Sequence, residues 1–270
     1  MPAELLAQES LIRGSAFAII LGLMAMWELY APWRHQTIGR SRRWPNDFAI
    51  IALDTALVRV VFPMTAVAFA LYSAQPGWGL LQWLKAPAWL SVPLAIAALD
   101  LAIYAQHRLF HAVPVLWRLH RMHHADLEFD VSTGIRFHPI EILLSMAIKF
   151  AVIAIVGAPA VAVLMFEILL NATSLFNHSN VRMPHVIDRG LRLFVVTPDM
   201  HRVHHSIEVH ETNSNFGFNL PWWDRIFGTY LAQPAAGHDA MTIGIAQFRN
   251  PAELRLDRLL TQPFRDDASN

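Results

Sequence analysis

The apolar positions of this chain fall in runs too long for the interior of an ordinary soluble domain. Residues 16–33 form one run, 48–72 a second and 88–105 a third. A hydrocarbon layer about 30 Å thick takes roughly 20 apolar residues of helix, so each run predicts a membrane span. Polar interruptions are few: Glu28 near the end of the first run, Asp54 and Arg59 in the second, Asp100 in the third. Residues 140–176 are too long for one span and are interrupted by Gly157-Ala158-Pro159. Proline and glycine together stop a helix, which predicts a short hairpin. The first run has no small-residue cleavage site behind it and reads as a retained anchor. The expected fold is all-α, an integral membrane stem of four to five spans, hairpin included, under a histidine-rich helical cap. Residues 1–86 would hold the first spans and a basic loop, 87–232 the histidine-bearing domain, and 233–270 a soluble tail. The amphipathic stretch Pro251–Leu260 of that tail suits a membrane surface.

Charge orients the spans. The loop after the first run carries Arg34, Arg40, Arg42 and Arg43, and arginine-rich loops stay in the cytoplasm. Counting crossings from there places the N-terminus outside and returns the third span to the cytoplasmic face. The loop 73–87, expected outside, has the single basic residue Lys85. Arg108, Arg118, Arg121, Arg136, Arg182, Arg189 and Arg192 populate the segments expected inside.

Bulk composition excludes several classes. Twenty-one basic residues balance 21 acidic ones, so nothing in the net charge suggests nucleic acid. The absence of cysteine excludes disulfides, thiolate metal sites and a cysteine nucleophile. Any metal would be held by nitrogen and oxygen, a donor set that suits iron, zinc, copper or manganese.

The histidines point to that metal. Eight of fourteen lie in three short boxes: His107 and His111; His120, His123 and His124; His201, His204 and His205. Residues three or four apart share a helix face, so each box can aim its imidazoles at one point. The hairpin leaves and re-enters one face, which puts all three boxes on the same side, the cytoplasmic one. Scattered surface or core histidines do not explain this clustering. Eight nitrogens exceed what one ion takes, which argues for two. His178, where the hairpin returns, is a candidate ninth ligand. His138 is either a ligand or an interfacial support. His185 and His210 are weaker candidates, and His35 and His238 read as surface residues.

Supporting groups can be read as well. Asp100, Tyr104, His107 and His111 fall on one helical stripe, so Asp100 either orients an imidazole or forms a buried ion pair with Arg59 or Lys149. Arg121 and Arg202 are too positive to ligate and are expected to brace the cap through Asp126, Asp199 or Asp224. Trp117, Phe137, Phe194, Trp222 and Trp223 either line a lipid entry or anchor at the interface, the anchor being favoured for the last two. His-Glu-x-x-His, Gly-x-Ser-x-Gly and Gly-x-Gly-x-x-Gly motifs are all absent.

The order of boxes resembles that of the fatty acid hydroxylase and sterol desaturase superfamily. The segments Arg136-Phe137-His138-Pro139-Ile140-Glu141, Phe176-Asn177-His178-Ser179-Asn180, Thr197-Pro198-Asp199-Met200-His201, Asn215-Phe216-Gly217 and Trp223-Asp224-Arg225-Ile226-Phe227-Gly228-Thr229-Tyr230 extend the likeness over roughly residues 90 to 232. The resemblance implies a membrane di-iron oxygenase. Two iron ions would be held by His107, His111, His120, His123, His124, His201, His204 and His205, with His178 added. Asp100, His138, Asp199 and Asp224 would stand behind the ligands. It also implies O2 as co-substrate, a membrane lipid as substrate and a separate electron-donor protein. Hydroxylation, desaturation and ether cleavage stay open, as do sterol or hopanoid, acyl, ether-lipid and carotenoid substrates. The competing reading is a membrane metal- or haem-binding protein without enzymatic activity. It is disfavoured because transport sites lie at mid-bilayer and haem needs one or two axial histidines.

Overall fold

A computed structural model describes residues 8–266. Among these the chain is helical throughout, with two isolated β-bridges, Pro32 to Val181 and Ser206 to Ile243, and no strand. The stem comprises α1 (Glu9–Tyr30), α2 (Arg40–Val61), α3 (Ala66–Ala74), the short α4 (Leu80–Trp83), α5 (Ala88–Ala112), then, after a first cap helix α6 (Pro114–His124), the hairpin helices α7 (Pro139–Val156) and α8 (Ala160–Asn177). Helices α9 (His185–Leu191) and α10 (Pro198–His204) continue the cap, followed by short helical segments as far as Phe264. Five helical stretches among the described residues are long and apolar enough to cross a membrane. The chain is an integral membrane protein of all-α architecture. The N-terminus itself, expected outside, falls beyond the described residues.

One span differs from expectation. The run 48–72 is two helices, because Pro63 removes a backbone donor and Thr65 starts a new helix by accepting from the Ala68 amide at 3.1 Å. The hairpin forms as the sequence predicts. Gly157 ends α7 in the left-handed conformation (φ 71°), and Pro159 precedes α8. The loop before α5 presses Gly79 against Gly157, and a Cβ on Gly157 would meet the Trp78 carbonyl at 2.8 Å.

Small residues let the stem helices approach closely, as membrane helices do. Ala66, Ala70, Ala95 and Ala162 are buried together with Leu99, Ile153, Val163 and Phe166. Outward, Leu11, Ile19, Leu23 and Leu29 of α1 are exposed, a surface suited to hydrocarbon and costly in water.

Described residues after Tyr230 pack onto the cap and the stem. The stretch expected on a membrane surface instead buries Leu259 with Ile50 of α2 and Met122 of α6. His238, expected at the surface, is buried edge-on to Trp33.

Candidate metal centre

Each box is delivered by a helix end. α5 carries His107 and His111 on its last two turns. The chain breaks at Val113, and Pro114 opens α6, whose missing amide costs nothing at a first helical position. α6 then presents His120, His123 and His124. His178 caps α8. Thr197 caps α10 by accepting from the Met200 amide at 3.3 Å, with Pro198 at its first position, and so aims His201, His204 and His205 inward.

These nine imidazoles form two groups. His107, His111, His120, His124 and His204 offer ring nitrogens within 4.8 Å of one another, and so do His123, His178, His201 and His205. The two His-Arg-x-His-His boxes contribute in exchanged roles. His120 and His124, four apart, serve the first group and His123 the second. His201 and His205 serve the second group and His204 the first.

Proton bookkeeping shows what the groups require. Nδ1 of His107 donates to the Phe216 carbonyl at 2.8 Å, that of His123 to Arg136 at 3.1 Å, that of His178 to Ser174 at 2.7 Å and that of His204 to Ser214 at 2.7 Å. Nδ1 of His120 donates to the Glu141 carboxylate at 2.7 Å. Carbonyl and carboxylate oxygens only accept, so these rings carry hydrogen on Nδ1 and a bare lone pair on Nε2. Yet Nε2 of His107 lies 3.1 Å from Nε2 of His120, and Nε2 of His123 lies 3.2 Å from that of His178. Two lone pairs cannot hydrogen-bond. A cation between them removes the conflict, and roughly 3 Å is the spacing of neighbouring donors at right angles on an ion with bonds of about 2.0–2.1 Å.

Burial tells the same story. Both ring nitrogens of His111, His124 and His205 are buried without a partner, as is Nε2 of His204. An unpaired buried polar atom costs about 1–3 kcal/mol, and metal ligation would satisfy one nitrogen of each ring. Protonation offers no escape. Burial, followed by repulsion from neighbouring imidazoles, holds His123, His124, His201 and His205 well below their ordinary 6.5. Burial likewise pushes His178 and His204 down to about 3. These six rings are neutral near pH 7, the form that ligates.

The fatty acid hydroxylase family model matches residues 92–229, which hold all nine histidines. The chain belongs to the fatty acid hydroxylase family. It is 30% identical to an ornithine lipid hydroxylase of Rhizobium tropici over 79% of its own length and 65% of that protein. It is 31% identical to the alkylglycerol monooxygenase of Homo sapiens over 57% of its length and 33% of that protein. It therefore spans just under two thirds of the first relative and about a third of the second. No solved structure matches.

Within this hydroxylase-family chain the supporting groups are distributed differently from expectation. Asp100 accepts from Trp223 Nε1 at 2.9 Å and the Leu220 amide at 3.2 Å, not from an imidazole. It forms no ion pair with Arg59 or Lys149; Lys149 binds Glu167 instead, which Arg13 also holds. Trp223 is thereby tied to α5. His138 caps α7 through the Ile140 amide and reaches the Leu260 carbonyl, outside both groups. Asp199 pairs with Arg202 at 2.6 Å as expected, whereas Arg121 reaches the carbonyls of Gln262 and Arg265. Asp224 accepts from the amides of Phe216 and Gly217 at 2.8 and 2.9 Å, which fixes the carbonyl that holds His107. His185 and His210 lie outside the two groups.

Two supports were missed from sequence. Glu141, on the first turn of α7, takes the role imagined for Asp100. It stands 21 positions from His120, too far for sequence periodicity to pair them. Arg43 of α2 clamps the loop after that box, binding Asp126 through two nitrogens at 2.9 and 2.6 Å and Asp130 at 2.6 Å. Burial pushes both carboxyls up, but Arg43 outweighs it and holds them below the ordinary carboxylate range. In the sequence this arginine signals only topology.

Proposed function

We propose that this chain is a two-iron membrane oxygenase that hydroxylates an unactivated C–H bond of a lipid, using O2 and electrons from a separate donor protein. The observation that carries the reading is the pair of buried imidazole groups, five of their rings oriented through Nδ1, whose bare nitrogens face one another. Group one would hold one iron through His107, His111, His120, His124 and His204, and group two the other through His123, His178, His201 and His205. Bound there, the irons supply oxygen activation and the oxidising power for C–H attack.

The chain's own residues do the rest. Glu141 keeps hydrogen on Nδ1 of His120 and directs Nε2 inward, raising ligand basicity. The carbonyls of Phe216, Arg136, Ser174 and Ser214 do so for four other rings. Burial of eight of the nine rings keeps water from the oxidising site. The names of the relatives, a hydroxylase and a monooxygenase, favour oxygen insertion over desaturation. The arginines flanking the boxes support a cytoplasmic site and an external N-terminus.

Metal analysis of detergent-purified protein from iron-supplemented cells tests this. Two irons per chain are expected, with an O2-dependent lipid product heavier by one oxygen and absent in His204→Ala. Well-folded protein without metal, or product undiminished in that variant, overturns the reading.

A further inference from the structure

Of the nine cluster histidines, only His111 is not fully buried. It opens into a cavity of about 320 Å³ lined by Trp117, Ile207, Val209, Thr212, Asn213 and residues 245–247. Trp117 stacks at a tilt on His111 and His124, with ring centroids 4.9 and 5.5 Å away. The inner wall is apolar, with Trp117, Ile207 and a buried Ile245. The rim is exposed and includes the amides Asn213 and Gln247 beside Val209 and Ala246. No lining side chain carries a formal charge at neutral pH.

One side of the cavity comes from the strap 242–249, which lies beyond the family match at residues 92–229. The strap is built, not draped. The Ile207 amide donates to the Thr242 carbonyl at 2.9 Å and the Gly244 amide to the His205 carbonyl at 2.9 Å. Arg249 donates to the Ile243 carbonyl at 2.6 Å. Gly244 holds φ 106°, where a Cβ would stand 2.9 Å from the Asp126 carbonyl oxygen. Ile245 packs with Ala125, Phe248 and Trp117.

We propose that this cavity receives the alkyl chain of the lipid substrate, and that Ile245, Ala246 and Gln247 of the strap determine which chain is accepted. The inference rests on the oxygenase reading above. An apolar throat ending at His111 of group one suits a hydrocarbon segment, because burying it against Trp117, Ile207 and Ile245 removes apolar area from water. Amides at the rim suit an uncharged hydrogen-bonding linkage such as an ester, amide or hydroxyl. Selectivity then follows from wall shape, where one methylene is worth roughly tenfold or more in kcat/KM.

The test is photolabelling of the full-length, iron-loaded protein with a fatty-acyl lipid carrying a diazirine in its chain, followed by peptide mapping. Labels on 207–213 and 245–247 are expected. Ala246→Trp, on the exposed rim where folding is not at stake, should cut that labelling by roughly tenfold. It should also raise KM or shift chain-length preference while iron content holds. Ile245→Trp is the stronger but less fold-safe variant. Labels confined to the outer faces of the spans, or an Ala246→Trp profile identical to the parent, overturn the proposal. Labelling in the cavity without any O2-dependent product supports the pocket and sinks the oxygenase. Product formation with labels elsewhere does the reverse.

Discussion

The two imidazole groups are assembled from the same parts and differ in how they are closed. Each takes the first and last histidines of one His-Arg-x-His-His box and the middle one of the other. Group two adds His178 alone and is buried in all four members. Its polar supports are backbone carbonyls, those of Arg136 and Ser174. Group one adds the α5 pair His107 and His111, leans on the Glu141 carboxylate and opens at His111 toward the cavity. Equal donor chemistry with unequal access teaches that the groups are not interchangeable. Group two is the closed half, with no nitrogen to spare. Group one has a fifth ring and the open side on which a substrate can approach.

That asymmetry makes the largest expected effect a difference between two single substitutions. His178→Ala leaves three donors in group two, while His111→Ala leaves four in group one. His178→Ala should therefore release one iron per chain and lower turnover by more than about 100-fold, the upper end of what losing even an outer partner costs. His111→Ala should keep most of its iron while turnover falls. Elemental analysis of both purified variants, with circular dichroism to verify helix content, reads this directly. Equal iron loss in the two would dissolve the distinction between a closed and an open half.

Glu141 offers a finer cut. Glu141→Gln keeps an acceptor for His120 Nδ1–H but removes the charge, and Glu141→Leu removes both. Iron affinity of group one should fall by about tenfold in the first and about 100-fold in the second. Group two should be untouched, because its rings lean on carbonyls. Chelator titration of the loaded protein, followed by Mössbauer spectroscopy, separates the two irons. Loss of both irons together in Glu141→Leu would mean that the groups act as one site.

How much of this was legible in the sequence depends on the range of the interaction. Box spacing is local, so the histidine boxes and the hairpin at Gly157-Ala158-Pro159 could be read directly. The all-helical stem follows from run length alone. Partnerships across the fold could not be read. Asp100 stands on the right stripe of α5, yet the loop carrying Leu220 and Trp223 reaches it first. Glu141 stands 21 positions from the ring it orients, and Arg43 lies 83 from Asp126. Periodicity carries no information at such separations. The tail misled for a related reason: the apolar face of Leu256–Thr261 looks the same whether it meets lipid or, as here, Ile50 and Met122.

The smallest expected effect concerns the backing of the closed half. His238 lies behind α10, where its Nδ1 accepts from Arg202 at 3.4 Å, one residue from His201. Burial, then the charges of Arg202 and Arg192, pushes His238 down to about 3. In the unfolded chain it would titrate near 6.5. Below that pH the unfolded chain takes up a proton that the folded chain refuses until about 3, so stability present above 6.5 is lost as the pH falls through this window. One proton is worth at most about 1.4 kcal/mol per pH unit. His238→Phe, which keeps the edge contact with Trp33 and cannot titrate, should show a shallower fall of Tm between pH 6.5 and 4.5 than the parent, with little difference at pH 8. Melting both proteins across that range measures it. The histidines of the two groups contribute the same acid sensitivity to parent and variant, so the difference between the two slopes isolates His238. Parallel slopes would mean that this ring is protonated or solvated in the folded protein, and that the tail covers the closed half less tightly than its burial implies.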